Sequence, residues 1–146
     1  MIELEQLPVH LQTLNPNDWN NLFMLLPEIE NTNDFGQVQG GEKLIDGSIT
    51  MPYWASTKIV DDVFQTIMDL NICPIFDWPD WEDGRQILSN KTFDYSKIDA
   101  VTLCKLLTVI IRTDKFCDGH LISCFQDGTM TKIITSLKNK IINGGS

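Results

Sequence analysis

Apolar positions along this chain recur mostly with the period of a helix. Trp19, Leu22, Phe23 and Leu26 share one helical face behind Asn15-Pro16-Asn17. Asparagine supplies a capping side chain and proline suits a first turn, so a short helix ending near Pro27 is predicted. Residues 31–51 are rich in Gly and Asn, with Leu44-Ile45 and Ile49 flanking Asp46-Gly47. That pair tolerates the positive φ of a tight turn and predicts a small β-hairpin. From Ser56 onward, Ile59, Val60, Val63, Phe64, Ile67 and Leu70 line one side, and Lys58, Asp61, Asp62, Gln65 and Asp69 the other. This is an amphipathic helix, expected to stop at Pro74.

The segment Phe76 to Gly84 opens a short helix that continues through Ile87 and Leu88. Asp99 then caps the most apolar helix of the chain, where Thr102, Lys105, Thr108 and Arg112 form one polar strip among Val101, Leu103, Cys104, Leu106, Leu107, Val109, Ile110 and Ile111. A helix apolar on nearly every side is the central element of a bundle. Two short helices follow, Asp118 to Gln126 and Met130 to Ile141, with Gly128 as a C-cap and Thr129 as an N-cap between them. Met130, Ile133, Ile134, Leu137 and Ile141 make the buried stripe of the last one.

The pattern therefore predicts a mainly α fold, a compact helical bundle of five or six helices with a small β-hairpin. At 146 residues, with 42% apolar and 21% charged positions, the chain can bury its own core without staples. Residues 1–143 read as a single helical domain, with no internal repeat, and Gly144-Gly145-Ser146 as a tail or linker. No apolar run reaches the roughly 18 residues of a membrane span, and the first residues lack the order of a signal peptide. A cytoplasmic protein is expected, with Cys73, Cys104, Cys117 and Cys124 as reduced thiols packed in apolar stretches.

Charge narrows the partners. The formal net charge is −9, and it is uneven: residues 1–104 hold 17 acids and 5 bases, residues 105–146 hold 3 acids and 6 bases. Affinity for duplex nucleic acid comes from clustered cations, so duplex binding is not expected. The closing helices have helix-turn-helix length, but Lys132, Lys138, Lys140 and one amide, Asn139, cannot read base edges. The acidic first two thirds suit the opposite role, an acidic inhibitor that mimics nucleic acid.

Two segments could carry chemistry. The first is the junction Arg112 to His120, where Arg112, Asp114, Asp118 and His120 are expected to share one hydrogen-bonded cluster at a helix start. Its alternative is an ordinary turn with Asp118 as cap and Arg112 in an ion pair. The second is Phe76 to Gly84, where Asp77, Trp78 and Trp81 could stack a ring or hold a cation. There the alternative is tryptophans covering the core above a solvated acidic turn. Cys117, His120 and Cys124 would share a helix face, but without chelating turns no metal is expected, and no cofactor. No phosphate loop, serine elbow or zinc-protease motif is present, which favours binding over catalysis.

The run Leu106-Leu107-Thr108, followed by Arg112-x-Asp114-Lys115-Phe116-Cys117-Asp118-Gly119-His120, Gly128 and an Ile/Leu-rich last helix, resembles a bacterial family catalogued as domain of unknown function 6508. Weaker similarity reaches back over Tyr53 to Leu70. Two features depart from that pattern: Leu121 stands where an aromatic follows the histidine, and the last helix has fewer arginines. The resemblance implies a compact helical domain in a bacterial or phage-infected cytoplasm and implies no activity. The sequence as a whole points to a non-catalytic binding or interaction protein with a protein or small-molecule partner. A small-ligand or nucleotide pocket or enzyme at the Arg112 to His120 junction, and an acidic inhibitor of a nucleic-acid enzyme, are the alternatives.

Overall fold

A computed structural model describes residues 1–143; the expected tail at 144–146 lies outside the described residues. The chain is mainly helical with a small two-stranded antiparallel sheet. Its elements are α1 (Leu7–Thr13), α2 (Pro16–Phe23), α3 (Leu26–Glu30), β1 (Gly36–Gln39), β2 (Tyr53–Ser56), α4 (Lys58–Leu70), α5 (Glu82–Ser89), α6 (Ala100–Asp114), α7 (His120–Gln126) and α8 (Thr129–Ile142). There are more helices than the five or six expected, because the N-terminal stretch breaks into three. Asn15 caps α2 with Pro16 in its first turn, as the sequence predicts, and Asp18 returns the bond to the Asn15 N–H. Pro27, read as a stop, instead sits in the first turn of α3, where its missing N–H costs nothing.

α6 is the centre of the bundle and packs on α5, α7 and α8, while α2 packs on α4 and α8. Its cap is the one predicted: Asp99 accepts from the Thr102 N–H at 2.8 Å. Leu103, Leu106, Leu107 and Ile110 have no exposed surface. The polar strip is buried at Thr108, whose hydroxyl donates to the Cys104 carbonyl at 2.9 Å and so loses no hydrogen bond. From α1, His10 Nε2 lies 2.8 Å from the Leu70 carbonyl at the end of α4 and ties the N-terminal helices to the bundle.

α4 ends at Leu70, four residues before Pro74, and is capped by Asn71, which adopts φ 56 and ψ 43 and donates its N–H to Met68 O. Asparagine tolerates this left-handed geometry better than other residues with a side chain, and glycine tolerates it best. Asn71→Ala is therefore expected to lower stability by about 1 kcal/mol and Asn71→Gly by a few tenths at most. Urea unfolding checks both, and equal losses would contradict the cap.

The hairpin is longer than its predicted tip. Strands β1 and β2 pair Gly36 with Ser56 through Gln39 with Tyr53. Beyond them a bridge joins Lys43 to Ile49, and Gly47 turns the tip at φ 88. No residue from Gln37 to Trp54 is buried. The ribbon thus leaves the bundle as an arm, held at its root.

Candidate functional site

The root of the arm lands on the Arg112 to His120 junction. Trp54 of β2 donates its backbone N–H to Asp118 Oδ2 at 2.8 Å. Its indole lies on Gly119, where an added Cβ would come within 2.4 Å of the ring. Gly119 also has φ 84, a left-handed geometry that L side chains rarely adopt. On the other strand, Gly36 lies against Ile122 of α7, and Phe35 stacks on Phe125 at 5.5 Å between centroids. The junction is a socket for the arm, made from one carboxylate, one glycine and one face of α7.

The four junction residues expected to form one hydrogen-bonded cluster make no hydrogen bond or ion pair with one another, although Asp114 and Asp118 line one small cleft. Asp118 does not cap α7: that position belongs to Gly119, and Asp118 serves β2. Asp114 Oδ1 takes the orphan N–H of Leu121 at 2.9 Å, so the cap comes from the end of the preceding helix. His120 opens α7 with Nε2 3.8 Å from the Cys124 sulfur. Arg112 turns away, its Nη2 at 3.3 Å from Met1 Sδ. The ion pairs among the described residues are Lys58–Asp62 and Lys91–Asp127, so Arg112 pairs with neither aspartate. A helical side chain leans toward its helix N-terminus, and Arg112 accordingly covers the turn before it instead of the turn after.

The Phe76 to Gly84 segment is mostly committed to packing. Trp81 meets Phe76 edge-on at 5.7 Å, Lys105 Nζ sits 4.1 Å from its ring centroid, and Gly84 leaves no room for a Cβ beside it. That cation–π contact gives Lys105, on the polar strip of α6, a partner at the protein surface. Trp78 is partly exposed and lies 6.3 Å from Phe116 of the junction, so the two segments touch. Asp77 is exposed, and its carboxyl is pushed up by a shared hydrogen bond and charge repulsion with Asp80.

Among the clefts that the described residues form, three stand out, and none of these is lined by both segments. One of about 750 Å³ runs between α1–α2 and the ends of α6 and α8, along the stacked rings of Trp19 and Phe23. Two of its polar side chains are already used: Asp99 caps α6, and Lys140 donates to Ser96 O at 2.9 Å. A second, of about 150 Å³, lies beneath Arg112. The third, of about 170 Å³, lies at the arm root between Trp54, Asp61, Asp114 and Gly119.

All four cysteines are free thiols. Cys73 and Cys124 are pushed up to about 11 by burial, and Cys104 well above its ordinary value for the same reason. Cys117, expected in an apolar stretch, is exposed in the turn before α7, off any shared helix face with His120 and Cys124. Among the described residues no three His, Cys, Asp or Glu side chains could hold a metal. Native protein at pH 8 is expected to release one equivalent from a disulfide reagent quickly, and four after denaturation. Two or more fast equivalents would contradict this burial pattern.

Trp54 is the residue that sequence reading missed. Its signal lay in the Tyr53-Trp54-Ala55-Ser56 run, a short aromatic strand matching Gly36-Gln37-Val38-Gln39 across the Asp46-Gly47 turn.

The model of a family described as "Family of unknown function (DUF6508)" matches residues 14–143, and the chain belongs to that family. No curated protein and no solved structure matches it. No helix among the described residues is long and apolar enough to cross a membrane.

Proposed function

We propose that this member of a family of unknown function is a non-catalytic interaction protein and that its arm is the surface a protein partner grips. One observation carries the reading. Of the thirteen large apolar side chains left exposed among the described residues, seven lie between Val38 and Trp54. Scattered exposed apolar residues need no explanation, but a cluster held out on a ribbon does. Ile45 and Met51 are almost fully exposed and Ile49 is about two-thirds exposed, and keeping them there is unfavourable unless a partner covers them.

The partner's chemistry follows from the surroundings. Asp34, Glu42, Asp46 and Asp61 are exposed on and beside the arm, against Lys43 on it and Lys58 beside it, the latter already paired with Asp62. The fitting partner presents an apolar cleft rimmed by basic side chains. A second copy fits less well, since two chains of net charge −9 repel. Where that partner is a nucleic-acid enzyme, the same surface acts as an acidic inhibitor. The setting is the cytoplasm of a bacterial or phage-infected cell, supported by four free thiols and by family resemblance.

Photo-crosslinking residues at Ile45, Met51 and, as a control, exposed Ser89 test the proposal in host cells. Positions 45 and 51 are expected to trap one recurring protein absent from position 89. The purified partner should then lose about tenfold or more in affinity with Ile45→Asp. Adducts to this chain alone, or equal adducts from all three positions, would overturn it.

A further inference from the structure

We propose that the 150 Å³ cavity beneath Arg112 is a binding site for a small carboxylate with a compact apolar body. The site is separate from the arm and does not depend on its role. The floor is apolar and buried: Ile67 of α4, Ile111 of α6 and Cys73 line it, with Thr108 beside them. Its buried polar atoms are neutral and occupied or inert, and the exposed Asn71 lines the cavity as well. The Thr108 hydroxyl is bonded to Cys104 O, and burial keeps the Cys73 thiol protonated. A pocket of this kind receives hydrocarbon and offers nothing to a polar group at its base.

The mouth is different. Arg112 is partly buried there and Lys115 is exposed, and both line the cavity. Neither forms an ion pair among the described residues, in a chain with 20 acids and 11 bases. The Arg112 side chain contacts only Met1 Sδ within hydrogen-bond reach among those residues. A thioether is a weak acceptor, and a guanidinium carries five donors, so most of them have no protein partner. Burial pushes the Cys73 thiol up, and the Thr108 hydroxyl and then the Arg112 charge offset part of that rise.

A planar fork of donors over a mostly apolar cavity matches a planar carboxylate, bound through two parallel N–H···O contacts. An apolar cavity of about 150 Å³ admits a body the size of a benzene ring. Benzoate and cyclohexanecarboxylate fit both requirements, acetate lacks the body, and benzamide lacks the charge.

The test is titration of the full chain, followed by methyl NMR. Benzoate is expected to saturate with a Kd of about 0.1–1 mM, as befits so small a ligand. Shifts should concentrate at the Ile67 and Ile111 methyls. Benzamide and acetate should bind about tenfold or more weakly, and Arg112→Gln should weaken benzoate by a similar factor while leaving benzamide unchanged. Should Arg112→Gln fail to fold, Lys115→Gln, at an exposed position, is expected to weaken benzoate by about threefold. No saturation by about 20 mM benzoate, equal binding of benzoate and benzamide, or shifts confined to Leu14 and Ile141 in the larger groove would overturn the proposal.

Discussion

Gly119→Ala is expected to destabilise the protein by about 2–5 kcal/mol, from two causes that can be separated. The backbone there has φ 84, which costs a side-chain-bearing residue about 1–2 kcal/mol. An added Cβ also meets Trp54 ring atoms at 2.4 and 2.6 Å, so the indole must leave the socket. Gly128 is the built-in control: it has the same φ of 84 and nothing within 4 Å of an added Cβ. Gly128→Ala should therefore show the backbone cost alone, about 1–2 kcal/mol. In a Trp54→Ala background the Gly119→Ala cost should fall to that same level, since the clashing ring is gone. Urea unfolding of the four variants measures the cycle. Equal costs at Gly119 and Gly128 in the otherwise native chain would mean that Trp54 does not rest on the junction.

Leu107→Ala is expected to cost about 2–5 kcal/mol, because the removed atoms leave a hole in the middle of α6. Leu107 has no exposed surface, and α6 is packed by α5, α7 and α8, so no single neighbour can move in to fill the space. Val101, on the same helix but only partly buried beside the open groove, should lose less when cut to Ala. A Leu107→Ala loss below about half a kcal/mol would place the helix at the surface.

What could be read in advance was local. The Asp99 cap and the long apolar face of α6, the stripe of α4, and the Asn15-Pro16 start of α2 are each set by residues within two turns of one another. The junction was visible as a polar cluster, but its geometry was not. Nothing near Asp118 in sequence announces that its carboxylate holds the N–H of Trp54, 64 positions earlier. The local capping rule therefore assigns Asp118 to α7, and the chain fills that role with Gly119 and with Asp114 at the end of α6, seven residues before Leu121. Arg112 was matched to the acids after it by proximity in sequence, whereas helix geometry turns it toward Met1 and the cavity before it. The arm was seen only at its turn, since glycines and polar residues between the apolar ones hide the alternation that marks a strand.

The bundle displays the arm, in which no residue from Gln37 to Trp54 is buried. Replacing residues 40–52 with Asn-Gly joins Gln39 to Tyr53 through a two-residue turn suited to their antiparallel pairing. This keeps Trp54 and its socket and removes Ile45, Ile49 and Met51. Unfolding of this variant, measured beside binding of the partner trapped at Ile45, tests this display directly. Stability within about 1 kcal/mol of the parent, with loss of partner binding, is expected. A steep loss of stability, or binding that survives the shortened arm, would contradict it.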